Sequence, residues 1–311
     1  MLRRACLLVV LAACDHPRAS VDAPSSTAID AAIDAAPLPP QVTRLRVVSR
    51  CAQPIWIAHS TNVASDQNVK LATGAYHDYD IPAAGLASAR FWPKLGCDAT
   101  GHACSVGDNG EGGGAPCGSH GCEPPFDSKF EATFADASSA AETWYDLSLV
   151  DGYTLPLAVK PIGAGAGSGT CVASDCAGLT LDACPAHDVD GLDLRVTDPV
   201  DPATTIACLA PCKAWNYPAP YGAGMPESQD PGLHLCCPTP IDPATGNCTL
   251  ANACMTPDAC RASADPASVV HAAYVALIHE RCPSAYSYAY DDDAGLHACP
   301  AATQFEVTFC P

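Results

Sequence analysis

Apolar and polar positions alternate along several short stretches of the chain. Arg44-Leu45-Arg46-Val47-Val48, Ile55-Trp56-Ile57, Ala89-Arg90-Phe91-Trp92 and Thr143-Trp144-Tyr145-Asp146-Leu147-Ser148-Leu149-Val150 are bounded by Gly, Pro and Asp. Period-two patterning sends successive side chains to opposite faces, so these read as antiparallel strands laid on a core. Gln304-Phe305-Glu306-Val307-Thr308-Phe309 alternates in the same way, which predicts that the C-terminus returns to the sheet. A mainly β fold follows, a sandwich with strands over 44–96, 124–170 and 283–311. Residues 171–282 have another texture, with many cysteines and long Pro/Gly/Asp-rich connections. Their one main helix is predicted over Pro266 to Glu280, with Asp265 as N-cap, Pro266 at the first helical position, and Val269, Val270, Ala273, Tyr274, Leu277 and Ile278 on one face.

Composition explains how such a chain holds together. Among 311 residues there are 20 Cys and 29 Pro but only 3 Met and 6 Phe, so large apolar side chains are scarce and covalent links are expected to compensate. Lys and Arg total 15 against 34 Asp and Glu, a net charge of −19, without any basic run. This excludes nucleic acid and direct adhesion to an anionic membrane surface, which both need a positive patch.

The N-terminus accounts for the cysteines. Arg3 and Arg4, the apolar Leu7 to Ala12 and the small residues of Leu11-Ala12-Ala13-Cys14 resemble a bacterial lipoprotein signal, with residues 1–13 removed and Cys14 lipidated. An ordinary secretory signal is the alternative, and either route leads to an oxidising compartment. The expected location is the cell envelope, with the membrane contacted only through the lipid anchor. Losing Arg3 and Arg4 would make the mature chain two charges more acidic. Residues 14–43, rich in Ala, Pro, Ser and Asp, cannot bury enough surface to offset their ordering entropy and read as a disordered tether. The folded part is expected over 44–311, comprising the sandwich, a small disulfide loop at 97–123 and the disulfide-rich lobe 171–282.

Cysteine spacing favours bridges over metal. No paired Cys-x-x-Cys units occur, and the adjacent Cys236-Cys237 suits a disulfide framework. Asp188-Val189-Asp190-Gly191-Leu192-Asp193 has a misplaced glycine and no closing Glu for a calcium loop. The glycine-rich 109–116 segment lacks a following Lys-Ser/Thr and reads as an inserted loop. No cofactor or metal is expected, and neither a serine nor a cysteine nucleophile scheme finds support.

Tyr145-Asp146-Leu147-Ser148-Leu149-Val150-Asp151-Gly152-Tyr153-Thr154-Leu155-Pro156 carries a family resemblance. Ala89-Arg90-Phe91-Trp92, Cys104-Ser105-Val106-Gly107-Asp108, Cys236-Cys237, Cys282-Pro283-Ser284-Ala285-Tyr286-Ser287-Tyr288 and the ending Phe305-Glu306-Val307-Thr308-Phe309-Cys310-Pro311 extend it across 44–311. The chain resembles the thaumatin-like proteins. The resemblance implies a flattened sandwich with a disulfide-rich lobe, and bridges Cys51–Cys310, Cys97–Cys104, Cys117–Cys122, Cys171–Cys299, Cys176–Cys282, Cys184–Cys208, Cys212–Cys236 and Cys237–Cys248. Cys254 and Cys260 remain for a ninth, and the pairing among Cys237, Cys248, Cys254 and Cys260 is left open.

The resemblance also implies an acidic cleft between the lobes that engages β-1,3-glucan. Its glutamate falls on Glu131, two aspartates on Asp146 and Asp151, and its arginine on Arg90; the third aspartate's position holds Ser284. Glu131 and Asp151 are the implied catalytic pair, with Arg90 and Asp146 holding the substrate. Carboxylates accept hydrogen bonds from vicinal hydroxyls, and a pair split by environment can serve as acid and base. Asp146 and Asp151 are odd-spaced, so a bend near Leu149-Val150-Asp151-Gly152 must bring both to one cleft. Turn formation by Asp151-Gly152 and backbone bonding by Asp146 are the structural alternatives. The expectation is a monomeric, surface-anchored protein that binds β-1,3-glucan or a related wall polysaccharide, with weak endo-glucanase or antifungal activity as an extension. A protease-resistant interaction module without cleft chemistry is the alternative.

Overall fold

The computed structural model describes residues 37–110, 122–198, 201–238 and 254–311. The signal, Cys14, the tether up to residue 36, most of the 109–116 loop, Cys117 and Cys248 lie outside them. In chain order the strands are β1 (Leu45–Ser49), β2 (Ile55–His59), β3 (Val69–Leu71), β4 (Tyr76–Tyr79), β5 (Leu86–Lys94), β6 (Lys129–Phe134), β7 (Glu142–Ser148), β8 (Gly152–Tyr153), β9 (Leu157–Ile162), β10 (Ser174–Asp175), β11 (Arg195–Thr197), β12 (Thr205–Leu209), β13 (His297–Pro300) and β14 (Gln304–Phe309). The helices are α1 (Pro211–Asn216), α2 (Gly232–Cys236), α3 (Pro257–Arg261), α4 (Ala273–Arg281) and α5 (Asp292–Gly295).

Two sheets form the sandwich. One runs β10-β9-β14-β1-β4, the other β13-β7-β6-β5-β2-β3, and a small sheet β11-β12-β8 leads into the lobe. The alternating segments became strands because each has an apolar face to bury: Ala89 and Phe91, Phe130 and Ala132, and Tyr145 and Leu147 point inward from neighbouring strands. Phe305 of β14 reaches across to Phe130, Phe134 and Tyr145, with ring centroids 6.0, 6.0 and 4.7 Å away. Among the pairs of described strands the expected antiparallel pattern has one exception: β1 and β14 pair in parallel. Joining the first strand to the last carries no hairpin constraint, so their direction is free to follow the packing.

β1 is buried along its whole length, arginine included. Arg46 remains inside because Asp78 on β4 takes its Nε and Nη2 at 2.6 and 2.7 Å, Pro39 O accepts from Nη1, and Tyr76 lies under the guanidinium at 4.3 Å. The Gln41 side chain donates to Phe305 O, and Gln304 donates to the carbonyls of Gln41 and Thr43. The compact unit thus begins at Pro39, ahead of residue 44.

The lobe is built differently. Its longest helix, α4, has nine residues and begins later than the predicted Pro266 start. Asp265 accepts from Ala267 N through its side chain, closing a local turn, and its other carboxylate oxygen lies 3.5 Å from His234 Nε2, while a 3-10 turn spans Val269–His271. The N-terminal amides of α4 are instead satisfied by Asp188, distant in sequence, whose two oxygens accept from Ala273 N and Tyr274 N at 2.8 and 2.9 Å. Cys51–Cys310, Cys97–Cys104, Cys171–Cys299, Cys176–Cys282, Cys184–Cys208 and Cys212–Cys236 pair as implied. The Cys237–Cys248 and Cys254–Cys260 pairs are replaced: Cys237 bonds Cys260, because α2 and α3 bring these two together with Cα atoms 5.8 Å apart. Cys122 and Cys254 are disulfide-bonded as well.

Candidate functional site

The alternation that buries one face of β5, β6 and β7 lifts the intervening residues onto the other. Register then aligns them: Arg90 on β5 stands opposite Glu131 on β6, and Glu131 opposite Asp146 on β7. Sequence spacing does not encode this row, which comes from strand pairing alone. Arg90 Nε lies 3.1 Å from a Glu131 oxygen. The row walls a cleft of about 410 Å³, completed by Ser148, Val150, Asp151, Tyr286 and Ala289.

Asp151 joins it through the expected bend. Leu149 N donates to Tyr286 O, and Tyr274 on α4 donates its hydroxyl to Leu149 O at 2.6 Å, so the lobe pins the turn. Gly152 follows at φ +149°, and a Cβ there would stand 2.4 Å from Cys208 O, which only glycine avoids.

The two aspartates meet opposite environments. Burial pushes the Asp146 carboxyl well above its usual range, and neighbouring Glu131 adds to this against the pull of Arg90 and Lys129. Its Oδ1 is buried without a hydrogen-bond partner. Burial would raise Asp151 too, but Lys129 and Lys213 outweigh it through charge and hydrogen bonds, holding its carboxyl below 3.8. Lys129 bonds Asp151 Oδ2, while Lys213 on α1 lies 3.2 Å from Oδ1. The lysines thus hold Asp151 towards its charged form and tie it to both the sandwich and the lobe, whereas burial biases Asp146 towards its protonated form. Glutamate, arginine and both aspartates come together; Ser284, at the third aspartate's position, is occupied through its carbonyl, which accepts from Ser174 Oγ and His297 Nε2.

Several partners of the site escaped the sequence reading. Lys129 was visible as part of the Lys129-Phe130-Glu131 alternation, two residues from Glu131 and hence on its face. Lys213 and Tyr286 arrive from distant segments without a local signal. A further acidic group lies at the sandwich edge: Asp127, 1 % exposed, accepts from Asn109 Nδ2 at 3.0 Å, and Glu123 accepts from Gly107 N at 3.0 Å. Burial first, with neighbouring charges, raises Asp127 to about 7 and Glu123 to about 8.

Other constellations do not form reactive sites. Ser287 Oγ and His279 Nε2 both contact Asp291 Oδ2, at 2.5 and 2.7 Å. Ser287 Oγ and His279 Nε2 also lie 3.3 Å apart, but serine and aspartate share one ring nitrogen, whereas the histidine of a Ser-His-Asp triad bonds its two partners through opposite nitrogens. Among the described residues, Cys212, Glu227 and Cys236 alone have metal-ligand spacing, and the two sulfurs are bonded to each other. The Asp188–Asp193 string is used structurally, Asp188 capping the distant α4 and Asp193 holding Arg195 at 2.7 Å.

The chain is similar along most of its length to plant proteins. It is 31 % identical over 276 residues to thaumatin-like protein 1 of Prunus persica, covering 86 % of this chain and 90 % of the relative. A thaumatin-like protein of Arabidopsis thaliana is 30 % identical over 272 residues, covering 85 % and 88 %. A glucan endo-1,3-beta-glucosidase of Prunus avium is 28 % identical over 274 residues, again covering 85 % and 88 %. The model of the Thaumatin family matches residues 49–311, a span that holds the sandwich from the end of β1 onward, the lobe and every residue of the acidic row. With its sheets, its bridges and this match in agreement, the chain belongs to the Thaumatin family.

Proposed function

We propose that the protein binds β-1,3-glucan or a related neutral wall polysaccharide in this cleft, with slow endo-hydrolysis as the associated chemistry. The observation that carries the reading is the Arg90–Glu131–Asp146 row, in which Glu131 faces a guanidinium 3.1 Å away while burial biases the adjacent Asp146 towards its protonated form. That is the split glycoside cleavage requires. Asp146 protonates the leaving oxygen, Glu131 acts as base or nucleophile, and Arg90 orients Glu131. Asp151, with both oxygens held by lysines, positions the cleft walls and offers its remaining lone pairs to sugar hydroxyls. This reading pairs Glu131 with Asp146 in place of Asp151. A glucanase among the relatives supports the substrate class.

Co-sedimentation with insoluble β-1,3-glucan, with cellulose and chitin as controls, tests the reading. Selective pelleting is expected, weakened about tenfold by Glu131→Gln or Asp146→Asn through lost hydroxyl contacts, and any sugar release should vanish in both variants. Failure to pellet with all three polymers would favour the interaction module. Export and anchoring through Cys14 belong to the same proposal, since the bridges suit an oxidising compartment. Cys14→Ser should move the protein from membrane to soluble fractions, and unchanged fractionation would remove the anchor.

A further inference from the structure

The acidic row also walls a second hollow. Arg90, Glu131 and Asp146 border a groove of about 200 Å³ completed by Thr133, Trp144 and Leu296. It is continuous with the cleft through those three charged residues. Trp144 lies two positions before Asp146 on β7, so the pleat turns both to the same face. Its cross-strand neighbours are the small Thr133 on β6 and Ala298 on β13. Neither is large enough to cover an indole, and the Thr133 hydroxyl is already taken by Ser88 N at 3.1 Å. Trp144 is 44 % exposed, whereas Trp56 and Trp92 are buried and Trp215 is half-buried.

We propose that Trp144 is the aromatic platform of the cleft, on which one pyranose ring of a bound β-glucan rests by its C–H face. The inference rests on the glycan reading above and specifies which sugar ring the site accepts. An indole offers a broad apolar face, and the neighbouring carboxyls offer acceptors at its border. A β-glucopyranose matches both: its hydroxyls are equatorial, leaving axial C–H bonds on its faces and hydroxyls around its edge. A ring with an axial hydroxyl, as in mannose, puts a polar group against the indole and forfeits part of that contact. The carboxylates of the row disfavour anionic sugars in the same place.

The test titrates the mature protein with soluble β-1,3-glucan, reading binding by affinity electrophoresis and ring contact by tryptophan fluorescence, with mannan as comparison. Trp144→Ala should weaken glucan binding about tenfold, and Trp144→Phe should retain most of it. The wild-type fluorescence change should disappear in Trp144→Phe while its binding persists. Mannan should bind the wild type and Trp144→Ala alike. Unaltered far-ultraviolet circular dichroism and melting would show that the variants fold. If Trp144→Ala binds glucan as the wild type does, the platform is overturned and the cleft reading stands. If Trp144→Ala loses binding while Glu131→Gln and Asp146→Asn keep it, the platform stands and the role of the acidic row falls. Absence of wild-type binding to either polymer overturns both.

Discussion

In the sandwich a single side chain, Phe305, meets three aromatic rings of the opposite sheet, and the strands around it run up to nine residues. In the lobe the longest described helix has nine residues, the three other described α-helices have five or six, and the bridges Cys184–Cys208, Cys212–Cys236 and Cys237–Cys260 close loops of 23 or 24 residues. Interdigitated apolar faces hold the first region, while covalent closure and long-range capping hold the second. The cleft draws on both: the sandwich supplies a register-fixed row, and the lobe supplies Lys213 and Tyr274, which hold the turn carrying Asp151. A site assembled in this way has one wall that resists displacement and another whose position depends on bonds to distant segments.

The sharpest way to break this contrast is to open a lobe bridge. Replacing Cys237 and Cys260 together by Ser removes the closure of a 23-residue loop and is expected to cost roughly 3 kcal/mol in urea unfolding. Hydrogen exchange should then show lost protection in α2 and α3 with β5, β6 and β7 unchanged; uniform loss across both regions would contradict their independence.

A second experiment probes the sandwich edge through pH. Asp127 keeps its proton to about pH 7 in the fold, against an ordinary value of 3.8. Between these values the folded chain holds one proton more than the unfolded chain, so this group's contribution is complete below 3.8 and declines as pH rises towards 7. The slope is about 1.4 kcal/mol per pH unit. Glu123, raised to about 8, acts in the same sense. Chemical denaturation from pH 4 to 8 should show a shallower decline in Asp127→Asn than in the wild type. Equal slopes would mean that Asp127 ionises normally in the fold.

Legibility followed the same division. Strands β5, β7 and β14 could be read from alternation, because a half-buried strand writes its two faces into consecutive residues, and β1 and β2 were read from the same local pattern although they are buried on both faces. Four of the charged residues of the cleft, Arg90, Glu131, Asp146 and Asp151, came from motif resemblance, yet their contacts did not, since register and the Gly152 bend are products of packing. The start of α4 was misplaced because Pro266 and Asp265 form a good local start signal, while Asp188, far along the chain, caps the helix. The Cys237–Cys260 pair depends on how two short helices meet, information absent from cysteine spacing. Trp144 was visible as part of a strand, but its exposure follows from the small partners Thr133 and Ala298 across the ladder.

The bridge between Cys51 and Cys310 has a mechanical meaning. It joins residues 259 positions apart, near the two ends of the compact unit. Tension applied at those ends passes through a covalent shortcut, and roughly 900 Å of potential chain extension is withdrawn from the load. The row on β5, β6 and β7 lies wholly inside the spared segment. Tension applied at the two ends of the unit would therefore strain the residues outside the shortcut while the cleft kept its shape.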